Sequence, residues 1–306
     1  MLQPAKADRN SSAYDFLNVT SSARIYGLGG VNISTIEDNI ETADQNPALL
    51  GPEMGGWIDA NYMRYIGDSN FAGIRYAQGA GEHGAWMASV QYFGYGSVKE
   101  TDIDGNVLGN FSPSDLSFAA TYSHDVFSMW RIGATVKFLY SNYNGYSAAA
   151  LATDLGINYY DPEHDFSLSL VGANLGGQVK KFDNVSETLP MDVRVGFTWG
   201  LKRVPLRISV TAWNLTRWKG NNTGLMRHLV FGLDLVPSSK FYVSLGYNYK
   251  VRQDMQTYQR NFLSGFTLGA GFSASRFNVA VALAQPHNGA TTFMVNFGLK
   301  LQDLIR

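Results

Sequence analysis

Along this chain, apolar residues recur at every second position in segment after segment. In Trp130–Tyr140, WRIGATVKFLY, the residues Ile132, Ala134, Val136, Phe138 and Tyr140 share one face of an extended strand, and Arg131, Gly133, Thr135 and Lys137 share the other. Successive side chains alternate across a pleat, so one face is wholly apolar and the other is small, polar or cationic. Roughly ten tilted residues of this kind cross a bilayer's hydrocarbon core. The pattern predicts one stave of a transmembrane barrel.

The same pattern predicts strands at Trp57–Ile66, Asn70–Ala77, Ala85–Phe93, Leu116–Ser123, Ala149–Tyr160, Phe166–Asn174 and Val193–Trp199. It continues at Leu206–Ala212, Leu229–Leu235, Phe241–Tyr249, Phe262–Phe272, Phe277–Leu283 and Phe293–Leu299. The expected fold is all-β, an antiparallel transmembrane barrel of about fourteen strands, even in number as such barrels are. Connections alternate in length: 79–83, 125–129, 161–165, 202–204, 237–239 and 274–275 are short, while 94–114, 175–190, 214–224 and 250–261 are long. Short periplasmic turns and long extracellular loops give that alternation. Trp86, Trp130, Trp199, Phe241 and Phe277 fall beside short turns, and Tyr92, Tyr140, Tyr143, Tyr146, Tyr247 and Tyr249 beside the opposite ends, as two interfacial girdles.

Composition narrows the alternatives. Charged residues are 16% of the 306, against about 25% in ordinary soluble domains. A soluble β-sandwich or lipocalin-like barrel also alternates, but its polar face meets water and carries many Lys, Glu and Asp. Here those faces are mostly Gly, Ser, Thr and Ala, which suits a confined interior. A net charge of -1 implies no general attraction to nucleic acid. With Cys at 0, disulfides and thiolate metal sites are excluded. No run approaches the ~20 apolar residues of a spanning helix.

Residues 1–56 break the pattern and read as a leader and compact plug, ahead of a barrel over 57–300 and a short tail over 301–306. Gly27, Gly29 and Gly30 permit tight turns, and Asn46-Pro47-Ala48 can open a short helical turn after the proline. The opening MLQPAKADRN lacks the layout of a signal peptide, so an exported form is read as mature or trimmed.

Candidate chemistry is sparse. His83, His124, His164, His228 and His287 lie in or near predicted turns and loops without metal-binding spacing, and read as solvated. Asp102 and Asp104 begin like a calcium loop with Asn106 following, but the later bidentate glutamate is missing, so an ordinary turn is favoured. No catalytic motif and no cofactor signature occurs, and a non-enzymatic role is expected. Arg75, Arg131, Lys137, Asp154, Arg194, Arg207 and Asp234 fall on inward faces, where they pair with one another or hold the plug, or else line a polar channel. Trp213, Arg217, Trp218 and Lys219 flank or occupy a long loop, as partner anchors or as girdle residues. Inward glycines such as Gly133, Gly196, Gly232 and Gly246 fit either a strand kink or a crowded lumen.

Tyr14–Ser34 (YDFLNVTSSARIYGLGGVNIS), Asp38–Glu53 (DNIETADQNPALLGPE) and Gly94–Ser123 resemble the PorQ family of outer-membrane proteins of the Bacteroidota type IX secretion system. The glycine-rich and Asn46-Pro47-Ala48 motifs are shared more widely across FadL-like barrels, PorV among them. The resemblance implies a barrel of about fourteen strands with an N-terminal hatch. It implies a non-enzymatic anchor in the outer membrane that holds a PorZ-like surface protein through its long loops. That assembly also contains PorU and PorV and couples cargo to lipopolysaccharide. The chain departs from outer-membrane barrels in ending LKLQDLIR, without the terminal aromatic. The alternative is a FadL-like transporter of hydrophobic small molecules or a PorV-like cargo shuttle. A barrel enzyme has little support.

Overall fold

The computed structural model describes residues 14–102, 104, 106–182, 186–218, 224–254, 263–287 and 290–301. The strands are β1 (Trp57–Arg64), β2 (Asn70–Ala80), β3 (Gly84–Gly94), β4 (Val98–Thr101), β5 (Val107–Phe111), β6 (Ser114–Phe127), β7 (Trp130–Tyr143) and β8 (Tyr146–Asp161). They continue as β9 (Phe166–Lys180), β10 (Asp192–Gly200), β11 (Leu206–Ala212), β12 (Leu229–Ser238), β13 (Phe241–Asn248), β14 (Phe266–Ser273), β15 (Phe277–His287) and β16 (Ala290–Lys300). All but β4 and β5 join one closed antiparallel barrel of 14 strands, in which β1 meets β16. The seam runs from the Trp57–Lys300 pair to the Arg64–Phe293 pair.

Alternation along each stave decides which side faces out. Val136 is 57% exposed and Leu155 51%, whereas Thr135 and Asp154 on the opposite face are buried. That is inside-out relative to a water-soluble protein, and it fits a wall that meets lipid without and polar groups within. Among the described residues no helix is long and apolar enough to cross a membrane.

The expected strands are present, and their ends differ in instructive ways. The predicted strand Phe166–Asn174 runs on to Lys180 as β9, with the register slipping between Thr153 and Leu155 of its partner β8. Asn174 takes φ 55° there, and its N–H donates to Asp154 Oδ1 at 2.7 Å. The bulge interrupts the two-residue period, so the pattern stops short of the strand. β14 begins at Phe266 rather than Phe262, after a turn in which Gly265 has φ 87°; Phe262 itself is outside the described residues. Two expected loops hold structure of their own. Segment 94–114 contains the β4–β5 hairpin, and 250–261 opens within a short helix at Tyr249–Asp254.

The rim is uneven. β6, β7, β8 and β9 have 14, 14, 16 and 15 residues, while β10, β11, β13 and β14 have 9, 7, 8 and 8. At roughly 3.3 Å per residue, the wall is much taller on the β6–β9 side. Asn144 and Gly145, with φ 47° and 82°, cap the tall side as a tight two-residue hairpin.

Candidate functional site

Residues 14–56 fill the lumen. They form a helical turn α1 (Ala23–Tyr26), and 3-10 turns at Asp15–Asn18, Ile40–Asp44, Pro47–Leu49 and Pro52–Met54. Such short pieces need caps and outside partners, because most of their backbone groups have no internal one. Ser22 Oγ accepts from Ile25 N at 3.1 Å at the start of α1. Asn46 Oδ1 accepts from Ala48 N at 2.9 Å, and its Nδ2 donates to Ile33 O at 2.8 Å. Asn46 therefore caps the turn opened by Pro47 and ties it to the preceding stretch.

The glycine motif sits against β12–β14. A Cβ on Gly27 would lie 2.8 Å from Gly269 Cα, and one on Gly29 would lie 2.4 Å from Val230 Cγ1. Gly29 and Gly30 have φ 94° and 84°, so the turn also needs their conformational freedom. The wall answers with glycines of its own. A Cβ on Gly133 would lie 2.4 Å from Pro47 C, on Gly156 2.1 Å from Asn46 Oδ1, and on Gly246 2.1 Å from Gly29 N. Of the two readings of the inward glycines, the crowded lumen is the one observed: they are seats for the hatch.

Charge locks these surfaces together. Arg24, 2% exposed, donates from Nε to Glu37 and from Nη1 to Asp234 Oδ1 at 2.6 Å and Ser244 Oγ at 2.6 Å. Its guanidinium carbon lies 4.1 Å from the Tyr242 ring centroid. From the wall, Arg75 reaches Asp44 at 3.0 Å and Asp59 at 3.4 Å, and donates to the Ser21 and Glu41 carbonyls. Arg194 binds Gln45 Oε1 at 3.0 Å, Arg207 binds Ile36 O at 2.9 Å, and Arg131 pairs with Glu53 at 3.3 Å. Burial pushes the Glu41 carboxyl up, opposed by Arg75 and by hydrogen bonds from Ser22 and Asn39. Lys137 and Asp154 pair with each other across the wall at 2.6 Å. Such buried pairs are costly to break by removing one partner, since the other is left charged in a low-dielectric site.

Among the described residues, two cavities at opposite ends of the hatch share no lining residue. One of about 930 Å³ lies at the short-turn end, between hatch residues Glu37, Asp38 and Glu53 and wall residues Arg131, Trp130 and Arg207. The other, about 370 Å³, opens at the long-loop end between Tyr26, Val31 and Trp213 on one side and Phe266, Ala284 and Pro286 on the other, with Lys250 and Arg217 at its edge. It lies where the wall is low.

The loop candidates separate in space. Trp213 is 8% exposed and packs with Val31 and Val230, so it is a lumen residue, not an exposed anchor. His228 is fully buried beneath the Trp218 ring, at 4.0 Å between centroids, and corrects the expectation of five solvated histidines. Parity could have found both, because Trp213 continues the inward series Ser209, Thr211, and His228 precedes Val230, Gly232, Asp234. Arg217 pairs with Asp15 of the hatch at 3.7 Å, and Lys219 lies outside the described residues. Asp102 Oδ1 accepts from Asp104 N and Asn106 N at 2.9 and 2.8 Å. That closes the β4–β5 tip as a side-chain-to-backbone turn, far from Trp213 in the fold.

No protein-family model matches the chain, and no curated protein matches it. Solved structures do. The toluene transporter TodX of Pseudomonas putida aligns with TM-score 0.58 at 10% identity, over 92% of this chain and 97% of that one. A FadL homologue of Pseudomonas aeruginosa aligns with TM-score 0.54 at 10% identity, over 93% and 98%. CymD, a monoaromatic hydrocarbon channel, aligns with TM-score 0.52 at 8% identity, over 94% and 97%. At these identities the likeness is one of fold: a closed barrel of FadL type, the architecture of outer-membrane proteins.

Proposed function

We propose that this chain is a non-enzymatic outer-membrane barrel that receives a small apolar or amphipathic molecule at its outer mouth, with the hatch as the closed gate beneath. The observation that carries this is the cavity of about 370 Å³ at the low wall, where aromatic and aliphatic side chains stand inside and Lys250 and Arg217 at the edge. Such a site suits a molecule with an apolar body and an oxygen-bearing head. TodX and CymD, whose names speak of toluene and monoaromatic hydrocarbons, support the class of molecule. The ion pairs of Arg24 and Arg75 keep the gate shut, so passage beyond the mouth requires their release. Native mass spectrometry of the purified barrel with toluene and with a medium-chain fatty acid tests the reading. Saturable binding is expected, and Val251→Trp, which fills the cavity from the surface helix, abolishes it. Absence of saturable binding to either compound sinks the proposal.

A second reading has its own observation. The β4–β5 hairpin pairs with no barrel strand and exposes Val107 (58%) and Leu108 (66%) above the rim. Its base is fixed where Tyr95 Oη and Tyr143 Oη both donate to Asp115 Oδ2, at 2.6 and 2.9 Å. A presented apolar hairpin suits a surface protein, and on this reading the partner is PorZ-like, within an attachment assembly with PorU and PorV. Replacing 98–111 by a Gly-Ser turn should then release the partner from native outer membranes while leaving small-molecule binding intact. Retention of the partner by that variant counts against anchoring through the hairpin.

A further inference from the structure

The cavity of about 930 Å³ at the short-turn end carries more negative charge than its own cations meet. Glu37, Asp38, Glu53 and Asp125 line it, against the guanidiniums of Arg131 and Arg207. Both cations are already engaged. Arg131 is shared between Asp125 at 2.5 Å and Glu53 at 3.3 Å, and Arg207 is held by Asp165 at 3.0 Å. Glu37 is met from beneath by buried Arg24, which also serves Asp234. That leaves Asp38, an exposed hatch residue whose side chain has no hydrogen-bond or ion-pair partner among the described residues. Glu53 and Glu37 add to the negative potential around it, and Arg131 offsets part of it.

Two buried polar groups of the same cavity are also unmet. Asn158 is 7% exposed and lines the wall side. Its Nδ2 donates to Ser167 Oγ and Ser169 Oγ, both at 2.8 Å, which pins the amide and leaves Oδ1, with no partner among the described residues, to the cavity. Thr35, 6% exposed, lines the hatch side, and its Oγ1 has no partner either. An acceptor left unmet in a buried site costs stability that a donor-bearing ligand returns. Around these groups Val126, Phe127, Met129 and Trp130 of the β6–β7 turn make an apolar rim, with Phe127 71% exposed.

We propose that this cavity binds an organic cation, a guanidinium or ammonium group on an apolar stem, with Asp38 and its neighbouring carboxylates for the head and the β6–β7 rim for the stem. Charge-assisted hydrogen bonds to carboxylates are the strong ones, and a cationic side chain lays its methylenes along apolar surface while its head stays polar. Among the described residues no group of three or more His, Asp or Glu could hold a metal ion, so the surplus charge suits a donor-rich organic head. The volume lies within the usual range for a ligand site. The site shares no lining residue with the cavity at the long-loop end, and the proposal stands apart from the small-molecule reading of that cavity.

Isothermal titration calorimetry of the purified barrel in an uncharged detergent tests this with n-butylguanidinium chloride, and with sodium butyrate as the anionic counterpart. Saturable binding of butylguanidinium is expected, and none of butyrate. Asp38→Asn, at an exposed hatch position, should weaken that binding by about tenfold or more, and heat-modifiable migration on gels confirms that the variant is folded. Asp38→Lys, which brings a tethered cation of its own, should abolish it. Val251→Trp, in the other cavity, should leave it unchanged, so that failure here and failure of the small-molecule reading are told apart. The same titration with Ala-Arg-Ala amide separates two sources of the cation. Tighter binding than butylguanidinium assigns the site to a side chain of a polypeptide, and weaker binding assigns it to a free small cation. Absence of saturable butylguanidinium binding, equal affinity in Asp38→Asn, or equal affinity for butyrate overturns the proposal.

Discussion

Arg75 is 1% exposed and has Asp44, Asp59 and Glu41 around it, three carboxyl groups to one guanidinium. Its guanidinium pairs with Asp44 and Asp59 and donates to two hatch carbonyls and to Asn61 Oδ1, so charge and hatch position are joined in one side chain. Arg75→Met keeps most of the volume and leaves those carboxyls unneutralised, which should lower stability by about 3–5 kcal/mol. A urea titration in lipid vesicles reads this as a lower midpoint; an unchanged midpoint would mean that lumenal water, not Arg75, carries the carboxylates. The sequence made half of this visible. Arg75, Arg194, Arg207 and Asp234 fall inward by strand parity alone, but Glu37, Glu41 and Asp44 lie in an aperiodic stretch where no repeat says which way a side chain points.

Among elements, β13 shows how wall and hatch constrain one another. Gly246 faces Gly29 so closely that any side chain there displaces the glycine turn of the hatch. Gly246→Leu should therefore loosen the seal and raise ionic conductance in planar bilayers. Gly177→Leu, at a strand position where a Cβ meets nothing within 4 Å, should conduct as the parent does. Equal conductance of all three would show that Gly246 is not a seat. Strand identity was legible because alternation survives wherever a stave has lipid on one side. Strand length was less so: β9 outlasts its pattern at the Asn174 bulge, and the β4–β5 hairpin stands clear of the bilayer, where nothing enforces alternation. Trp213 and His228 look like loop residues by position and are lumen residues by parity, since they extend β11 and precede β12.

For the whole molecule, closure of the lumen depends on contacts far apart in sequence. Arg24 and Asp234 are 210 residues apart and meet at 2.6 Å. No local pattern announces such a meeting, so a barrel could be read from the chain while its sealed state could not. The parent protein is expected to show little conductance in planar bilayers, and removal of residues 1–56 to produce large, stable openings. Comparable openings from both would identify something other than the hatch as the barrier.

The junction of β1 with β16, eight residue pairs long, also sets an order of events. A finished cylinder has no slit through which a folded plug with five helical turns can be slipped sideways. If the plug is laid down while the first and last staves are still apart, their zipping encloses it as the cylinder closes. Variants that weaken the plug should therefore be felt twice, once in the finished cylinder and once earlier, as slower joining of its two ends.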